Sequence, residues 1–194
     1  GRPRAASAIE LLEIPSAQVK SGIILASLYI NKKTEIIEKH LTRNHTEIML
    51  ESFDADIQIK KINQKKHISI IGQKELTPQN IDVPSDLSSA AFFIIAALIN
   101  KNSNIKMHNI NLNPTREGII SSLYKMGAHI SISNKRLLNG EHVADLTIIS
   151  SKLKGCELDE NEARLMIDEY PILSIAASFA ETPSLFRGLS ELRV

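Results

Sequence analysis

The sequence predicts an α/β fold built from one repeated unit. Three observations predict it: the chain contains a near-copy of itself, each copy opens with an apolar stretch long enough for a helix, and each closes on two short runs with strand-like alternation. The first copy opens with Pro15-Ser16-Ala17-Gln18-Val19-Lys20-Ser21 and continues through Ile23-Ile24-Leu25-Ala26-Ser27-Leu28-Tyr29-Ile30 to Asn31. The second opens with Pro84-Ser85-Asp86-Leu87-Ser88-Ser89 and continues through Ala90-Ala91-Phe92-Phe93-Ile94-Ile95-Ala96-Ala97-Leu98-Ile99 to Asn100. Both stretches read as buried helices.

Each copy then passes through a β-like stretch to a Thr-Arg pair, Thr42-Arg43 and Thr115-Arg116. An amphipathic helix follows the pair, with Ile48, Met49, Leu50 and Phe53 as the apolar positions of the first copy and Ile119, Ile120, Leu123 and Met126 those of the second. The strands come next. Asp56–Ile59 and His129–Ile132 lead, Ile68–Ile71 and Asp145–Ile149 follow, and their period-2 alternation suits a half-buried sheet. Asn63-Gln64 and Asn139-Gly140 supply the turn chemistry of the closing hairpins, so the unit is βαβαββ. The run Lys60-Lys61 through Lys65-Lys66 reads as a solvated hairpin tip.

A third copy begins with the apolar helix of Asp168-Glu169-Tyr170-Pro171-Ile172-Leu173-Ser174-Ile175-Ala176-Ala177-Ser178-Phe179. It reaches Leu192-Arg193 where the earlier copies have Thr-Arg, and a unit stopped there leaves an apolar face and a sheet edge uncovered, so further sequence is expected beyond it. Residues 73–83, with Pro78 and little periodicity, read as the connector between the first two units and as the place for a domain crossing.

Composition narrows the function. With 194 residues, 43% hydrophobic and 23% charged, the chain can bury one sizeable core or two small ones. A formal net charge of +1 gives no whole-molecule attraction to nucleic acid or to an anionic membrane, and the absence of Trp removes an obvious stacking platform for single strands. The longest apolar runs, such as residues 90–99, are about half the roughly 20 residues a membrane span needs, and the expectation is a cytoplasmic protein. A single cysteine, Cys156, excludes an internal disulfide and a Cys-rich zinc site; it reads as a packed small residue. The six histidines show no metal-ligand spacing, and no dinucleotide fingerprint, P-loop or nucleophile elbow occurs.

The helix mouths carry the candidate chemistry. Each apolar helix starts behind Ser or Asp at a capping position, which leaves free N–H groups and a positive dipole end at its entrance, a setting for an anion. In the first unit Ser16 adds a hydroxyl, Gln18 an amide and Arg43 a planar guanidinium fork, a set that suits a phosphorylated polyol. The same residues also fit a plainer reading: Ser16 as an N-cap, Gln18 as a first-turn residue and Arg43 as a surface ion pair. Asp168 and Glu169 stand at the mouth of the third helix, where one carboxylate would cap it and an ionised carboxylate in a closed cleft could act as a general base toward a hydroxyl.

Six ordered segments identify a family. Pro15–Ser21, Thr42-Arg43-Asn44-His45-Thr46-Glu47-Ile48-Met49-Leu50, Ile81-Asp82-Val83-Pro84-Ser85-Asp86, Asn113-Pro114-Thr115-Arg116, Met166–Leu173 and Gly188-Leu189-Ser190-Glu191-Leu192-Arg193-Val194 resemble successive signature segments of the bacterial EPSP synthases. They span nearly the whole chain, although Gly1–Ala8 matches poorly. Asn44 stands where Asp is usual, Ser85 where Gly is usual, and Asp54 where Gly often closes the second helix; Asp54 is expected to adopt a left-handed conformation there.

The resemblance implies the inside-out α/β barrel of the enolpyruvyl transferases, in which two hinged domains of three βαβαββ units each close on substrate. Residues 1–80 would be the last unit of the first domain and residues 81–194 one and a half units of the second, both domains incomplete. It implies transfer of the enolpyruvyl group of phosphoenolpyruvate to the 5-hydroxyl of shikimate 3-phosphate with release of phosphate, without organic cofactor or metal. Ser16, Ala17 and Gln18 would form the shikimate 3-phosphate loop, with Gln18 also reaching phosphoenolpyruvate; Arg43 would be a further shikimate-phosphate contact; Asp168 would hold the shikimate hydroxyls and accept the proton. The full-length form is expected to be monomeric. A Lys-Glu pair that follows Leu-Arg-Val in the family, and further substrate-binding groups, have no counterpart among these residues. Each oriented donor is typically worth about 10²–10³ in rate, so the polypeptide alone is expected to be inactive. Two other readings stay open: the related UDP-N-acetylglucosamine enolpyruvyl transferase, and a non-catalytic module of the same fold.

Overall fold

The computed structural model describes residues 7–10 and 15–193; Val194 of the last signature segment and residues 1–6 of the weakly matching start lie outside the described residues. The chain divides into two compact units, Gly1–Asp82 and Val83–Val194, so the division falls within residues 73–83.

The first unit contains β1 (Ser7–Glu10), α1 (Ala17–Ser27), β2 (Lys33–Glu38), α2 (His45–Ser52), β3 (Asp56–Ile62) and β4 (Lys65–Ile71). Its sheet runs β1-β2-β4-β3, with β1 parallel to β2 and the other pairs antiparallel. A parallel pair needs a crossover, and α1 supplies it. Strand alternation puts Thr34, Ile36 and Glu38 of β2 and Ile68 and Ile70 of β4 on the covered face, where Ile24 of α1 and Leu50 of α2 meet them. Asn63 and Gln64 both take positive φ, +48° and +64°, the turn whose twist matches the flanking strands. Beyond the sheet, Gly72 passes close under the end of α1: a Cβ there would lie 2.3 Å from the Ser27 carbonyl oxygen and 2.6 Å from that of Ile30.

The second unit repeats this topology. It contains α3 (Leu87–Ile99), β5 (Asn104–Asn111), α4 (Gly118–Lys125), β6 (His129–Leu138) and β7 (Glu141–Ile149) in a β5-β7-β6 sheet. Ser85 bridges Ile110 of β5 in parallel, so a single residue stands where the first unit has β1. The α4 face reads as expected, with Ile119, Ile120, Leu123 and Met126 at most 3% exposed. A further parallel pair, β8 (Glu157–Leu158) and β9 (Leu185–Phe186), is joined through α5 (Glu160–Ala163), a 3₁₀ turn at Ile167–Glu169 and α6 (Tyr170–Ser178); a second 3₁₀ turn covers Ser190–Arg193. This is the opening βαβ of a third unit.

Four expectations change. The apolar helices are buried on one side only: α1 buries Lys20, Ile24 and Ser27 while Val19 and Leu25 stay exposed, and α3 and α6 expose Phe92, Phe93 and Ile175. On α2 the covered positions are Glu47 and Leu50, and Met49 faces out, because a carboxylate with cationic partners competes successfully for the inner face. The Lys60–Lys66 tip is not wholly solvated, since the Lys66 side chain is 12% exposed and reaches Glu47. The hairpin strands also extend past the alternating segments, to ten residues in β6 and nine in β7, since backbone pairing continues after the apolar pattern ends.

Candidate functional site

The mouth of α1 is built by Ser16. Its extended backbone (φ −131°, ψ 116°) lets Oγ accept the Val19 N–H at 3.3 Å and donate to Gln18 Oε1 at 3.3 Å. Ser16 is therefore an N-cap, as the plainer reading had it, and it also orients the Gln18 amide. Among the described residues neither the N-cap nor the first turn of α1 is acidic, so the partial positive charge of the helix end is not offset from within the helix. Ala17 is half-buried and presents backbone, and Gln18 is exposed. Arg43, half-buried, precedes α2. Two links tie its segment to α1 and β2: Ser21 Oγ lies 2.7 Å from Thr46 Oγ1, and Thr42 donates both its N–H (2.8 Å) and its hydroxyl (2.5 Å) to Glu38 Oε1. Local folding thus groups Ser16, Ala17 and Gln18 in one turn and anchors the Arg43 segment to the same helix.

Beneath these residues lies a cluster of paired charges. Lys20, fully buried, places Nζ 3.1 Å from Glu38 Oε1 and 3.0 Å from Glu47 Oε1; Lys66 Nζ lies 3.0 Å from the same Glu47 oxygen and 3.9 Å from Glu38 Oε2. Two ammonium and two carboxylate groups cancel. Buried charges are tolerated only in such mutual company.

The second unit holds Asp168, exposed, in the 3₁₀ turn ahead of α6. The N-cap of that helix, Glu169, makes no side-chain cap bond, and Pro171 in the first turn removes one of the donors a cap would have satisfied. Glu169 instead turns inward, 2% exposed, and accepts the Ser88 hydroxyl, while Arg116 Nη2 donates to Ser88 Oγ at 2.5 Å and lies 3.8 Å from Glu169 Oε1. Arg116 Nη1 reaches Asp86 Oδ1 at 3.3 Å, and Asp86 caps α3 by accepting the Ser89 N–H and hydroxyl, each at 2.8 Å. Burial raises the Asp86 pKa, but the Ser89 donors and the Arg116 charge outweigh it and hold the carboxyl below its ordinary value. The mouth of α3 is thus already filled by carboxylates. The two Thr-Arg loops have diverged: Arg116 serves a network at the α3 mouth, where the N-cap is Asp86, while the N-cap of α1 is Ser16 and its first turn holds no acid.

Other groups are structural. Asp145 of β7 accepts from Asn109 N–H at 3.2 Å and Asn134 Nδ2 at 3.4 Å and lies 3.0 Å from His108 Nδ1; Asn109 and Asn134 take positive φ at irregularities in β5 and β6. Burial pushes the Cys156 thiol up, which disfavours a nucleophilic role. Among the described residues no group of three or more His, Cys, Asp or Glu side chains is placed to hold a metal ion, and no helix is long and apolar enough to cross a membrane. A depression of about 340 Å³ lined in part by Leu98, Leu153 and Phe179 lies at the C-terminal ends of α3 and α6, the opposite end of α6 from Asp168.

Sequence reasoning missed Lys20, Glu38 and Glu47, yet a signal existed. Each is a charged residue in the core phase of its element: Lys20 shares a helical face with Ile24 and Ser27, Glu38 alternates with Thr34 and Ile36, and Glu47 lies three residues before Leu50. Three such residues on successive elements point to a buried cluster.

The model of the EPSP synthase family, 3-phosphoshikimate 1-carboxyvinyltransferase, matches residues 6–194. A 3-phosphoshikimate 1-carboxyvinyltransferase of Brucella canis is 48% identical over 194 residues, 99% of this chain and 43% of the relative. The chain thus spans less than half the length of such curated relatives. A solved EPSP synthase structure from Acinetobacter baumannii superimposes with a TM-score of 0.85 at 43% identity, covering 97% of this chain and 42% of that one. The enolpyruvyl transferase NikO of Streptomyces tendae, at 16% identity and a TM-score of 0.64 over 93% of this chain and 44% of that one, shares the fold.

Proposed function

The chain belongs to the EPSP synthase family, and on that premise we propose that it serves the transfer of the enolpyruvyl group from phosphoenolpyruvate to the 5-hydroxyl of shikimate 3-phosphate. The observation that carries the proposal is the α1 mouth, where a Ser16 cap, an oriented Gln18 amide and a helix end with no acid in its first turn stand on a segment that also anchors Arg43. Phosphate esters suit such an end, because the N–H groups and the dipole act on the same oxygens. In this reading Ser16, Ala17, Gln18 and Arg43 hold the 3-phosphate, and Asp168 accepts the proton of the attacking hydroxyl. As C3 of phosphoenolpyruvate takes a proton the hydroxyl oxygen adds to C2, giving a tetrahedral intermediate, and loss of a C3 proton together with phosphate from C2 restores the double bond and completes the transfer.

The same reading assigns residues 1–80 to the last βαβαββ unit of one domain and 81–194 to one and a half units of the next, in a monomeric cytoplasmic protein, and gives these 194 residues alone no measurable turnover. Calorimetric titration of the full-length protein with shikimate 3-phosphate tests it. Micromolar binding weakened at least tenfold in Arg43→Ala is expected; binding of UDP-N-acetylglucosamine with no binding of shikimate 3-phosphate would overturn it in favour of the related transferase. Phosphate release by the 194-residue chain alone, given both substrates, would refute the inactivity.

A further inference from the structure

We infer that Lys20, Glu38 and Thr42 are positioning residues that set the spacing of the phosphate-binding groups, an inference that rests on the α1-mouth reading above. The central feature is one oxygen atom. Glu38 Oε1 accepts from Lys20 Nζ at 3.1 Å, from the Thr42 N–H at 2.8 Å and from the Thr42 hydroxyl at 2.5 Å. Lys20 belongs to the first turn of α1, where its own N–H donates to the Ser16 carbonyl at 3.1 Å, two residues beyond Gln18. Thr42 is the residue before Arg43. Both halves of the proposed phosphate site therefore hang from Glu38 Oε1, one through Lys20 and the other through Thr42.

The chemistry of the cluster favours a positional role over a purely stabilising one. Buried ion pairs are often matched or exceeded in stability by apolar side chains of similar volume, and Lys20 shares its face with Ile24. What an apolar cluster does not supply is direction. A hydrogen-bonded charge network permits few geometries, so it fixes the approach of α1, the end of β2 and the Arg43 segment more narrowly than packing of a methyl surface would. Glu47, which takes both Lys20 and Lys66, brings the first turn of α2 and the strand β4 into the same arrangement. The hydrogen bonds converge on the Oε1 atoms of Glu38 and Glu47, so the direction of the network is set by those two oxygens.

The decisive variant is Thr42→Val, which keeps the size and the backbone N–H but deletes the hydroxyl donor, with Thr42→Ser as its conservative rescue. In the full-length protein, Thr42→Val is expected to weaken shikimate 3-phosphate binding about five- to tenfold, the scale of one lost charge-assisted hydrogen bond, with Thr42→Ser within about twofold of the parent. The KM for phosphoenolpyruvate at saturating shikimate 3-phosphate should stay within about twofold, a split that general loss of folded protein would not produce. Lys20→Met should weaken shikimate 3-phosphate binding likewise; if it fails to fold, Thr42→Val decides alone. Binding unchanged in Thr42→Val, or a lower apparent kcat and melting temperature with both KM values unchanged, overturns the inference. Arg43→Ala separates the failures. If it weakens binding while Thr42→Val is silent, only the positioning role is wrong; if neither weakens it, the phosphate-site reading itself falls.

Discussion

Glu169, at the mouth of α6, accepts the hydroxyl of Ser88 from the first turn of α3, a contact between residues 81 positions apart. It closes a network in which Arg116 bridges Ser88, Glu169 and Asp86. The third repeat is thereby locked to the second by a carboxylate with a side-chain exposure of only 3%, and the exposed Asp168 sits on the turn so locked.

Glu169→Gln should therefore destabilise the protein by about 2–3 kcal/mol, because it removes the charge that Arg116 and Ser88 serve while retaining the shape. Asp168→Asn, on the exposed side of the same turn, should change stability by less than about 1 kcal/mol. Urea midpoints with matched slopes measure both. Equal effects would show that the inward residue does not anchor the turn.

Acid stability should depend on Asp145. The hydrogen bond with His108 is the largest influence, the Asn109 N–H adds to it, burial opposes, and the carboxyl is lowered to about 2 from an ordinary 3.8. Below that ordinary value the unfolded chain takes up the proton first, so this contribution is complete above about pH 4 and is lost as pH falls toward 2. Asp145→Asn should flatten the stability curve in that window and leave its shape above pH 5 unchanged. Parallel acid titrations by circular dichroism check it, and identical slopes between pH 4 and 2 would refute it.

Two backbone positions should respond in opposite senses. Asp54 closes α2 at φ +59°, where a side chain is strained, and its ion pair with Lys74 is solvent-exposed, so Asp54→Gly should stabilise by about 0.5–1 kcal/mol. Gly72 has carbonyl oxygens of Ser27, Leu28 and Ile30 within 2.7 Å of any Cβ, and Gly72→Ala should cost about 2–4 kcal/mol as the end of α1 shifts. Differential scanning calorimetry reads both signs; a stabilising alanine at 72 would show that the approach is looser than drawn.

Much of this was legible in residues alone. The repeat, the two hairpin turns, the α4 face and the left-handed Asp54 all depend on local pattern, and local pattern is written in spacing and turn chemistry. The six signature segments identified the family before any coordinate did, because ordered motifs over nearly the whole chain are far more specific than one. The Ser16 hydroxyl at the α1 mouth was legible for the same reason, as a cap in front of an apolar helix.

Hidden from pattern was everything settled between elements. Amphipathic counting put Met49 inward and left Glu47 out, since periodicity ranks residues by hydrophobicity and has no knowledge of a cation waiting on another strand. The two Thr-Arg pairs look alike, yet Arg116 is drawn into carboxylates at the α3 mouth while α1 has no acid in its first turn. Sequence determined the unit, its order and its family, because these follow from steric and hydrophobic rules acting over a few residues. Tertiary structure decided which charges are buried and which arginine is drawn into a carboxylate network, because electrostatic energy depends on distances between groups that the chain keeps far apart and folding brings within 3 Å or so.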